Sequence, residues 1–289
     1  MNTPKLHHYV PQFYLRRFMD HTKRLWVWDR DINRVFRAQP KVVAAETYFY
    51  YLSESAEQGH DPLTMEKQFS GIESDMARAT NNWLMQIANA KAMESISLQE
   101  GDRETGALFL ALQFLRTEDS RSIIEAIHRA DKDVNSEVDA RSMHTAVLWD
   151  ERIVQRLTER IAESAWIFAT NITGTPFKTS DNPIAFRTQD HRQWIKAGIY
   201  GDGVYLTYPL SPNVIMYCYP NEGHWRESNL MQLDCRLSPV RFTEDMARNE
   251  NAAQTFTASR FIISSVDDFT WEREFAKTIG TDVYAPRER

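Results

Sequence analysis

This chain has few cysteines, no long apolar run and no excess of basic charge. Only 2 of its 289 residues are cysteine, and Cys218 and Cys235 do not form a Cys-x-x-Cys pair. Two thiols alone cannot build a structural zinc site, and we expect both to be reduced. The 10 Gly and 11 Pro are too few for a collagen-like or low-complexity chain.

The charge and the apolar runs limit where the protein works and what it binds. The opening residues contain no apolar run of signal-peptide length, and no segment reaches the roughly 18 apolar residues of a membrane span. We therefore expect a cytoplasmic protein with no membrane partner. The net charge of -6 does not favour non-specific binding to duplex nucleic acid, although a local basic cleft stays open as an alternative.

What the chain does have is a composition typical of a globular protein. Hydrophobic residues make up 42% and aromatic residues 12%, which excludes a wholly disordered chain. We interpret residues 1–289 as one α+β unit. Its helical subregion spans residues 62–163, and strands are expected within 7–52 and 164–265. A helical bundle from the middle of the chain should pack against a mainly antiparallel sheet built from the two ends.

Apolar spacing and turn residues predict the individual elements. After an extended start at His7, Pro11 should open a short helix. Strands are expected over 46–52, 165–169, 177–179, 204–208 and 214–219, with a hairpin over 25–38. One helix is expected along the apolar stripe 69–87, and a second from a capping box at 97–100 to about 119. A third helical stretch should cover 123–161, with a break near 131–139. A last helix should span 243–261.

Two polar groups near the start and in the middle of the chain are candidates for chemistry. His7 and His8 are adjacent in an extended segment, so normally only one of them can line a given site. Gln113 and Arg116 lie three positions apart on a predicted helix, so they share a face near the core. An arginine in that position must be paired or must line a polar cleft. Arg121 follows a few residues later.

The sharpest local pattern is the sequence from Lys178 to Pro183. Asn182 precedes a proline and should be extended, which places Asp181 in a bend at the end of a strand. Ser180, Asp181 and Asn182 could present polar groups to a ligand, and Asp181 is the candidate ligand for a divalent cation such as Mg²⁺ or Mn²⁺. The alternative is a turn that satisfies only its own backbone.

Several enzyme classes lack their motif in this sequence. No Gly-Lys-Ser/Thr phosphate loop, dinucleotide fingerprint or Gly-x-Ser-x-Gly elbow occurs. P-loop ATPases, Rossmann oxidoreductases and serine hydrolases are therefore poor fits.

Taken together, the polar blocks resemble the bacterial domain-of-unknown-function family 4238. The resemblance rests on the segments 7–18, 113–117 with Arg121, 179–183 and 208–212, and it covers about residues 6 to 265. It implies a bacterial or phage-borne protein whose polar residues share one site, and it supplies no established activity.

Two hypotheses follow for the function. The first is a phosphodiester hydrolase, such as a nuclease with a defence or toxin role. It would use His7 or His8 and Asp181 as catalytic residues, and Gln113, Arg116, Arg121, Ser180 and Asn182 to bind a nucleic acid or another anionic ligand. The second is a non-catalytic binding module whose polar motifs are structural. Trp26, Trp28 and the aromatic run 48–51 could then form a recognition surface.

Overall fold

The apolar stripes of the central part of the chain form helices. The computed structural model describes residues 6–47, 64–130, 140–190, 194–196 and 200–279. The predicted stripe lies on α2, which buries Trp83 among the apolar residues of the core. The α-helices are α1 (Gln12–Leu15), α2 (Thr64–Ile87), α3 (Asp102–Leu115), α4 (Glu118–Ala130), α5 (Ala140–Trp149), α6 (Glu151–Ala162), α7 (Gly223–Glu227), α8 (Glu244–Thr257) and α9 (Thr270–Ile279).

The strands come from both ends of the chain, as the α+β prediction requires. They are β1 (Leu6–His8), β2 (Leu25–Asp29), β3 (Arg34–Ala38), β4 (Ala45–Thr47), β5 (Ala165–Thr170), β6 (Thr179–Ser180), β7 (Ala185–Arg187), β8 (Trp194–Ile195), β9 (Tyr205–Ser211), β10 (Val214–Tyr219), β11 (Arg236–Leu237) and β12 (Phe261–Ser264). β1 pairs with β4. The larger sheets have the orders β11-β5-β10-β9-β7-β8 and β3-β2-β12-β6, and the parallel pairing is that of β11 with β5.

The four-stranded sheet joins the two ends of the chain directly. β12 lies between β2 and β6 and is antiparallel to both. The predicted 25–38 hairpin is confirmed, with its strands paired from Leu25–Ala38 to Asp29–Arg34. The fold class predicted from sequence is therefore confirmed, with the refinement that the strands form separate sheets.

The six-stranded sheet packs one face on the helices. Side chains alternate across a strand, so Trp166 and Phe168 of β5 share one face. Trp83 of α2 meets both of their rings, at centroid distances of 5.8 Å and 6.0 Å. Full burial of such aromatic side chains contributes about 2–3 kcal/mol each to the free energy of unfolding. This contact fixes α2 against the sheet.

Three predicted helix boundaries were wrong. The segment 97–100 does not cap a helix. α3 begins at Asp102 after Gly101, whose φ of 76° suits glycine, and the carboxylate of Asp102 accepts from the N–H of Gln99 at 3.2 Å. α3 also ends at Leu115 rather than near 119, and α8 ends at Thr257 because β12 begins at Phe261.

Two strand predictions were shifted by a few residues. β6 occupies Thr179–Ser180 instead of 177–179, because its pairing partners in β12 are Ile263 and Ile262. Pro209 lies inside β9, beyond the residues 205–207 that pair with β7, so the turn before β10 is shorter than predicted. The predicted strand over 46–52 is seen up to Thr47, and its remainder lies outside the described residues, as do the loop after it and the predicted break at 131–139.

No described helix combines the length and the apolar character that a bilayer-spanning helix needs. The aromatic residues of the hairpin belong largely to the interior, since Trp28 is 4% exposed and packs near Phe269. Trp26 is half-buried under the guanidinium of Arg37, and the run 48–51 lies outside the described residues. These tryptophans therefore do not form an exposed aromatic surface.

Candidate functional site

The two adjacent histidines separate onto opposite sides of β1. His7 is fully buried, and its cross-strand partner is Glu46 of β4. His8 is half-buried and lines an open cavity of about 280 Å³, which we call the His8 pocket. The alternation of an extended chain accounts for this division. Of the pair, His8 is therefore the residue that a ligand can reach.

Three segments supply the walls of the His8 pocket. α1 and the turn after it follow directly from β1 because Pro11 holds an extended φ/ψ of −62°/142° before the first helical residue. α2 crosses beside them. The lining residues are His8, Gln12, Phe13, Arg16, Phe69, Ser70, Glu73, Ser74 and Ala77.

A backbone carbonyl orients the His8 imidazole. Nε2 lies 3.1 Å from the carbonyl oxygen of Lys41. Because a carbonyl oxygen only accepts, Nε2 carries the hydrogen, and in the neutral ring Nδ1 keeps the lone pair. Burial lowers the pKa of His8, and the charges of Arg116 and Arg16 lower it further, while the Lys41 carbonyl and Glu73 oppose this. His8 is therefore a neutral base near pH 7.

Gln113 and Arg116 lie beneath the pocket and hold Glu73 in place. The Gln113 amide donates to the carbonyl oxygen of Tyr9 at 3.0 Å, and its Oε1 accepts from Arg116 Nε and Nη2 at 3.1 Å and 2.7 Å. Arg116 Nη1 donates to Glu73 Oε1 at 2.8 Å. Arg116 is 2% exposed, so its guanidinium does not line the pocket and instead holds the Glu73 carboxylate there.

Arg121 lies on the other side of β1. It begins the second turn of α4, and its Nη1 is 3.5 Å from Glu46 Oε2. Residues directly opposite in an antiparallel pair share a face, so Glu46 lies on the His7 side. Arg121 therefore contacts β4 and does not line the His8 pocket.

Asp181 binds backbone amides. Its carboxylate accepts from the N–H groups of Ser259, Arg260 and Phe261 at 2.9, 2.7 and 2.9 Å. Asp181 is 1% exposed, and burial raises the pKa of this carboxyl to about 7 although the three amides act to lower it. Asp181 thus fixes β6 against the start of β12.

The neighbours of Asp181 are equally enclosed. Ser180 Oγ is within hydrogen-bond distance of Gln254 Oε1 (3.0 Å), and it accepts from the N–H of Asn182 at 3.2 Å. The Asn182 amide donates to Asp119 Oδ2 at 3.1 Å. We call residues 178–183 the Asp181 turn. Its polar side chains join β6 to α4, α8 and β12, and none of them lines the His8 pocket.

The donor set expected for a divalent cation is not assembled around Asp181. Hard cations prefer several carboxylate and carbonyl oxygens, whereas both Asp181 oxygens already face backbone amides. Over the described ranges, no group of three or more His, Cys, Asp and Glu side chains converges as a metal site would. The residues that the structure describes therefore do not fit the Mg²⁺ or Mn²⁺ site that Asp181 suggested.

Glu73 and Arg16 were not among the site residues predicted from the sequence. Ser70, Glu73, Ser74 and Ala77 recur at three- and four-residue spacing beside the apolar stripe of α2, which places them on one face. Gln12 and Arg16 are separated by four residues, and Arg16 Nη2 donates to Gln12 Oε1 at 3.3 Å. This second stripe on α2 could have indicated a polar helix face, but no local pattern indicated that the face would lie beside His8.

Comparison with known proteins gives a family but no activity. The family model described as "Protein of unknown function (DUF4238)" matches residues 6–268. No curated protein and no solved structure matches the chain.

Proposed function

Because the chain belongs to this family of proteins of unknown function, we propose from the geometry of the His8 pocket that it hydrolyses phosphodiester bonds. The observation that carries the proposal is the meeting of a neutral histidine, an exposed arginine and a glutamate held by the buried Arg116 in one open pocket. A base and an anion-binding group are the minimum that hydrolysis of a charged ester requires.

The charge balance of the pocket favours an anionic ligand. The charge of Arg116 is matched by Glu73, and His8 is neutral. Arg16 remains as the positive group at the exposed rim, close enough to lower the pKa of His8. A guanidinium can donate two parallel hydrogen bonds to phosphate oxygens. A phosphate group bound between Arg16 and His8 would complete the charge balance.

His8 is the group we assign to proton transfer. Nδ1 would take a proton from a water molecule, the water oxygen would attack phosphorus, and the bond from phosphorus to the leaving oxygen would break. The imidazolium would then return its proton to the leaving oxygen, which restores the neutral ring. A positioned histidine of this kind contributes about 10²–10⁴-fold to the rate. Lys41 holds the ring, and Glu73 supports its charged form.

This proposal narrows the set of residues expected from the sequence. His8 keeps its catalytic role, and Gln113 and Arg116 become positioning residues through Glu73. His7, Arg121, Ser180, Asp181 and Asn182 take no part in it, since they lie in other contacts. A nucleic acid in the cytoplasm of a bacterial or phage-infected cell is the substrate we would test first.

The experiment compares matched substitutions on defined substrates. Wild-type protein is assayed on single-stranded DNA, RNA and bis(p-nitrophenyl) phosphate, with Mg²⁺, with Mn²⁺ and with a chelator. His8→Ala should lower kcat at least about 100-fold, and Arg16→Ala should mainly raise KM. His21→Ala and Arg24→Ala are the controls, because both side chains are exposed outside the pocket. Turnover that survives in His8→Ala would overturn the proposal.

The second candidate is a non-catalytic module that binds an anionic ligand. It is favoured by the structural role of the Asp181 turn, since three of the residues expected to act on a ligand are buried in it. Saturable phosphate binding at His8 without turnover of any substrate would support this candidate over the first.

A further inference from the structure

The carboxylate of Glu73 divides its two oxygens between the protein and the His8 pocket. Oε1 accepts from Arg116 Nη1 at 2.8 Å, whereas Oε2 has no donor partner among the residues that the structure describes. The Glu73 side chain lines the pocket and is 26% exposed, and Oε2 itself keeps contact with solvent. Oε2 is therefore an acceptor that a ligand in the pocket can reach.

Arg16 supplies donors to the same pocket. It is exposed, and its Nη2 donates to Gln12 Oε1 at 3.3 Å, which holds the guanidinium at the pocket wall. The other N–H groups of this guanidinium have no partner within the described part of the chain. They are available for the oxygens of a phosphate group, which a guanidinium binds with two parallel hydrogen bonds. The pocket thus offers donors for a phosphate and, on Glu73, an acceptor for a different group.

The acceptor on Glu73 limits what can lie beside that phosphate. An ionised carboxylate accepts hydrogen bonds and cannot donate them, and the oxygens of a phosphodiester also only accept. If the two groups were in direct contact, they would repel each other and leave Oε2 unpaired. Binding is therefore favoured when the ligand carries a hydrogen-bond donor next to its phosphate.

RNA and DNA differ in this donor. Within a DNA strand, the sugar–phosphate backbone has only acceptors. RNA adds one donor for each nucleotide, the 2′-hydroxyl, on the carbon next to the one that carries the 3′-phosphate, and this group lets proteins distinguish the two polymers. The pocket volume of about 280 Å³ lies at the lower end of small-molecule sites, roughly 300–1,000 Å³. This volume favours a phosphate and its sugar over a whole nucleotide, so the donor is expected on the sugar.

We propose that the His8 pocket takes RNA, and that Glu73 Oε2 accepts a hydrogen bond from the 2′-hydroxyl beside the bound phosphate. This inference rests on the proposed hydrolase function and narrows its substrate class. Arg116, which is itself held by Gln113, keeps Oε1 occupied and so leaves Oε2 for the sugar. Glu73 is then the residue that determines specificity for the sugar.

Three cytidine 3′-monophosphates are the probes: the ribonucleotide, its 2′-deoxy analogue and its 2′-fluoro analogue. They differ only at the 2′ position, and they carry no diester bond that could be hydrolysed. Fluorine keeps an electronegative group at that position but has no hydrogen to donate. NMR titrations of the full-length protein should give the ribonucleotide a dissociation constant at least about tenfold lower than that of either analogue, because a hydrogen bond to a charged acceptor is worth at least this factor.

Each other result of these titrations counts against the proposal. Equal dissociation constants for the ribonucleotide and the deoxy analogue would overturn it. A 2′-fluoro analogue that binds as tightly as the ribonucleotide would also overturn it, since the recognised feature would then not be a donor.

A variant assigns the discrimination to Glu73. In Glu73→Gln the charged acceptor is lost, so the ratio of the two dissociation constants, deoxy to ribo, should fall at least about threefold, because hydrogen bonds to ionised acceptors are roughly twice as strong as neutral ones. Asp75→Asn is the matched control on α2, because Asp75 is 63% exposed and lies outside the pocket. An unchanged ratio in folded Glu73→Gln would contradict the proposal, and the wild-type comparison of the three probes decides if that variant does not fold.

Turnover separates this inference from the hydrolase proposal. Cleavage of single-stranded DNA as fast as RNA, with equal binding of the ribo and deoxy probes, would overturn the sugar recognition and leave the hydrolase proposal standing. Tighter binding of the ribonucleotide without turnover of any RNA or DNA would overturn the hydrolase proposal alone. No binding of any probe up to the solubility limit would overturn both.

Discussion

The His8 pocket and the Asp181 turn are built from the same kinds of polar residue, yet they use them in opposite ways. In the Asp181 turn, Ser180, Asp181 and Asn182 are 0%, 1% and 3% exposed, and their polar atoms hold β6 against its neighbours. In the pocket, His8 is half-buried and Arg16 is exposed. The difference shows that a polar block in the sequence becomes a site only where the fold leaves its side chains open to solvent.

The largest stability effect is expected for Lys178→Met in the Asp181 turn. Lys178 Nζ lies 2.5 Å from Glu272 Oε2 and 2.6 Å from the carbonyl oxygen of Asp268, and both charged side chains are buried. Removing the ammonium leaves Glu272 unpaired, so the free energy of unfolding should fall by about 3–5 kcal/mol in urea titrations. Lys277→Met is the control, because its ion pair with Glu274 is exposed and should contribute little. A loss below 1 kcal/mol in Lys178→Met would show that this pair is not structural.

The next effect is expected for Asp181→Asn. The amide keeps the size of the carboxyl but replaces one acceptor oxygen with a donor, which opposes the N–H of Ser259 or, in the flipped orientation, the N–H groups of Arg260 and Phe261. The expected loss is about 2–3 kcal/mol, while activity measured on the folded protein should be unchanged. An activity loss without a stability loss would move Asp181 into the functional site.

Asp181 should also affect how stability depends on pH. Its pKa of about 7 in the fold lies above the unfolded value of roughly 3.9. The folded protein therefore binds more protons in this interval, and the contribution of Asp181 to stability falls as the pH rises from about 4 to 7. Urea titrations at several pH values should show this fall in wild-type protein and not in Asp181→Asn. Parallel pH profiles for the two proteins would contradict the prediction.

An intermediate loss of stability is expected for Glu73→Gln, because Glu73 both pairs with the buried Arg116 and lines the His8 pocket. The amide oxygen can still accept from Arg116, so the stability loss should be about 1–2 kcal/mol. Because Glu73 raises the pKa of His8, its loss should lower that pKa further and move the acidic limb of the pH–rate profile to lower pH. A purely structural role would leave that limb in place.

The smallest stability effect is expected for His8→Ala. Its hydrogen bond to the Lys41 carbonyl is exposed to solvent, so the free energy of unfolding should fall by less than about 1 kcal/mol. Thermal unfolding and turnover are measured on the same His8→Ala protein, so that the loss of stability can be compared with the loss of kcat. A large drop in stability would place His8 with the Asp181 turn as a structural residue.

Much of the fold could be predicted because its elements carry local signals. The α2 stripe and the 25–38 hairpin follow from spacing and turn residues. The end of α3 could not, because no glycine or proline follows Leu115, whereas Arg116 leaves the helix with φ/ψ of −88°/8°. Likewise, β6 is defined by pairing with β12, which lies about 80 residues later in the sequence.

The site was predictable only in part, for the same reason. Local alternation separated His7 from His8, and helical spacing placed Gln113 beside Arg116. The structural role of Asp181 depends on hydrogen bonds from the backbone amides of residues 259–261, and no local sequence pattern links Asp181 to that segment. Glu73 was missed because a polar residue beside an apolar stripe is usually a solvated helix face.

The role of His8 can be tested most directly by an NMR titration of its imidazole nitrogens with inorganic phosphate, with the signals assigned by their absence in His8→Ala. We predict an unprotonated Nδ1 at pH 7 and a saturable shift on adding phosphate. We also expect the pKa of His8 to rise, because a bound anion favours the imidazolium. An imidazole that stays unchanged at saturating phosphate, in a folded protein, would contradict the assignment of the His8 pocket as the functional site.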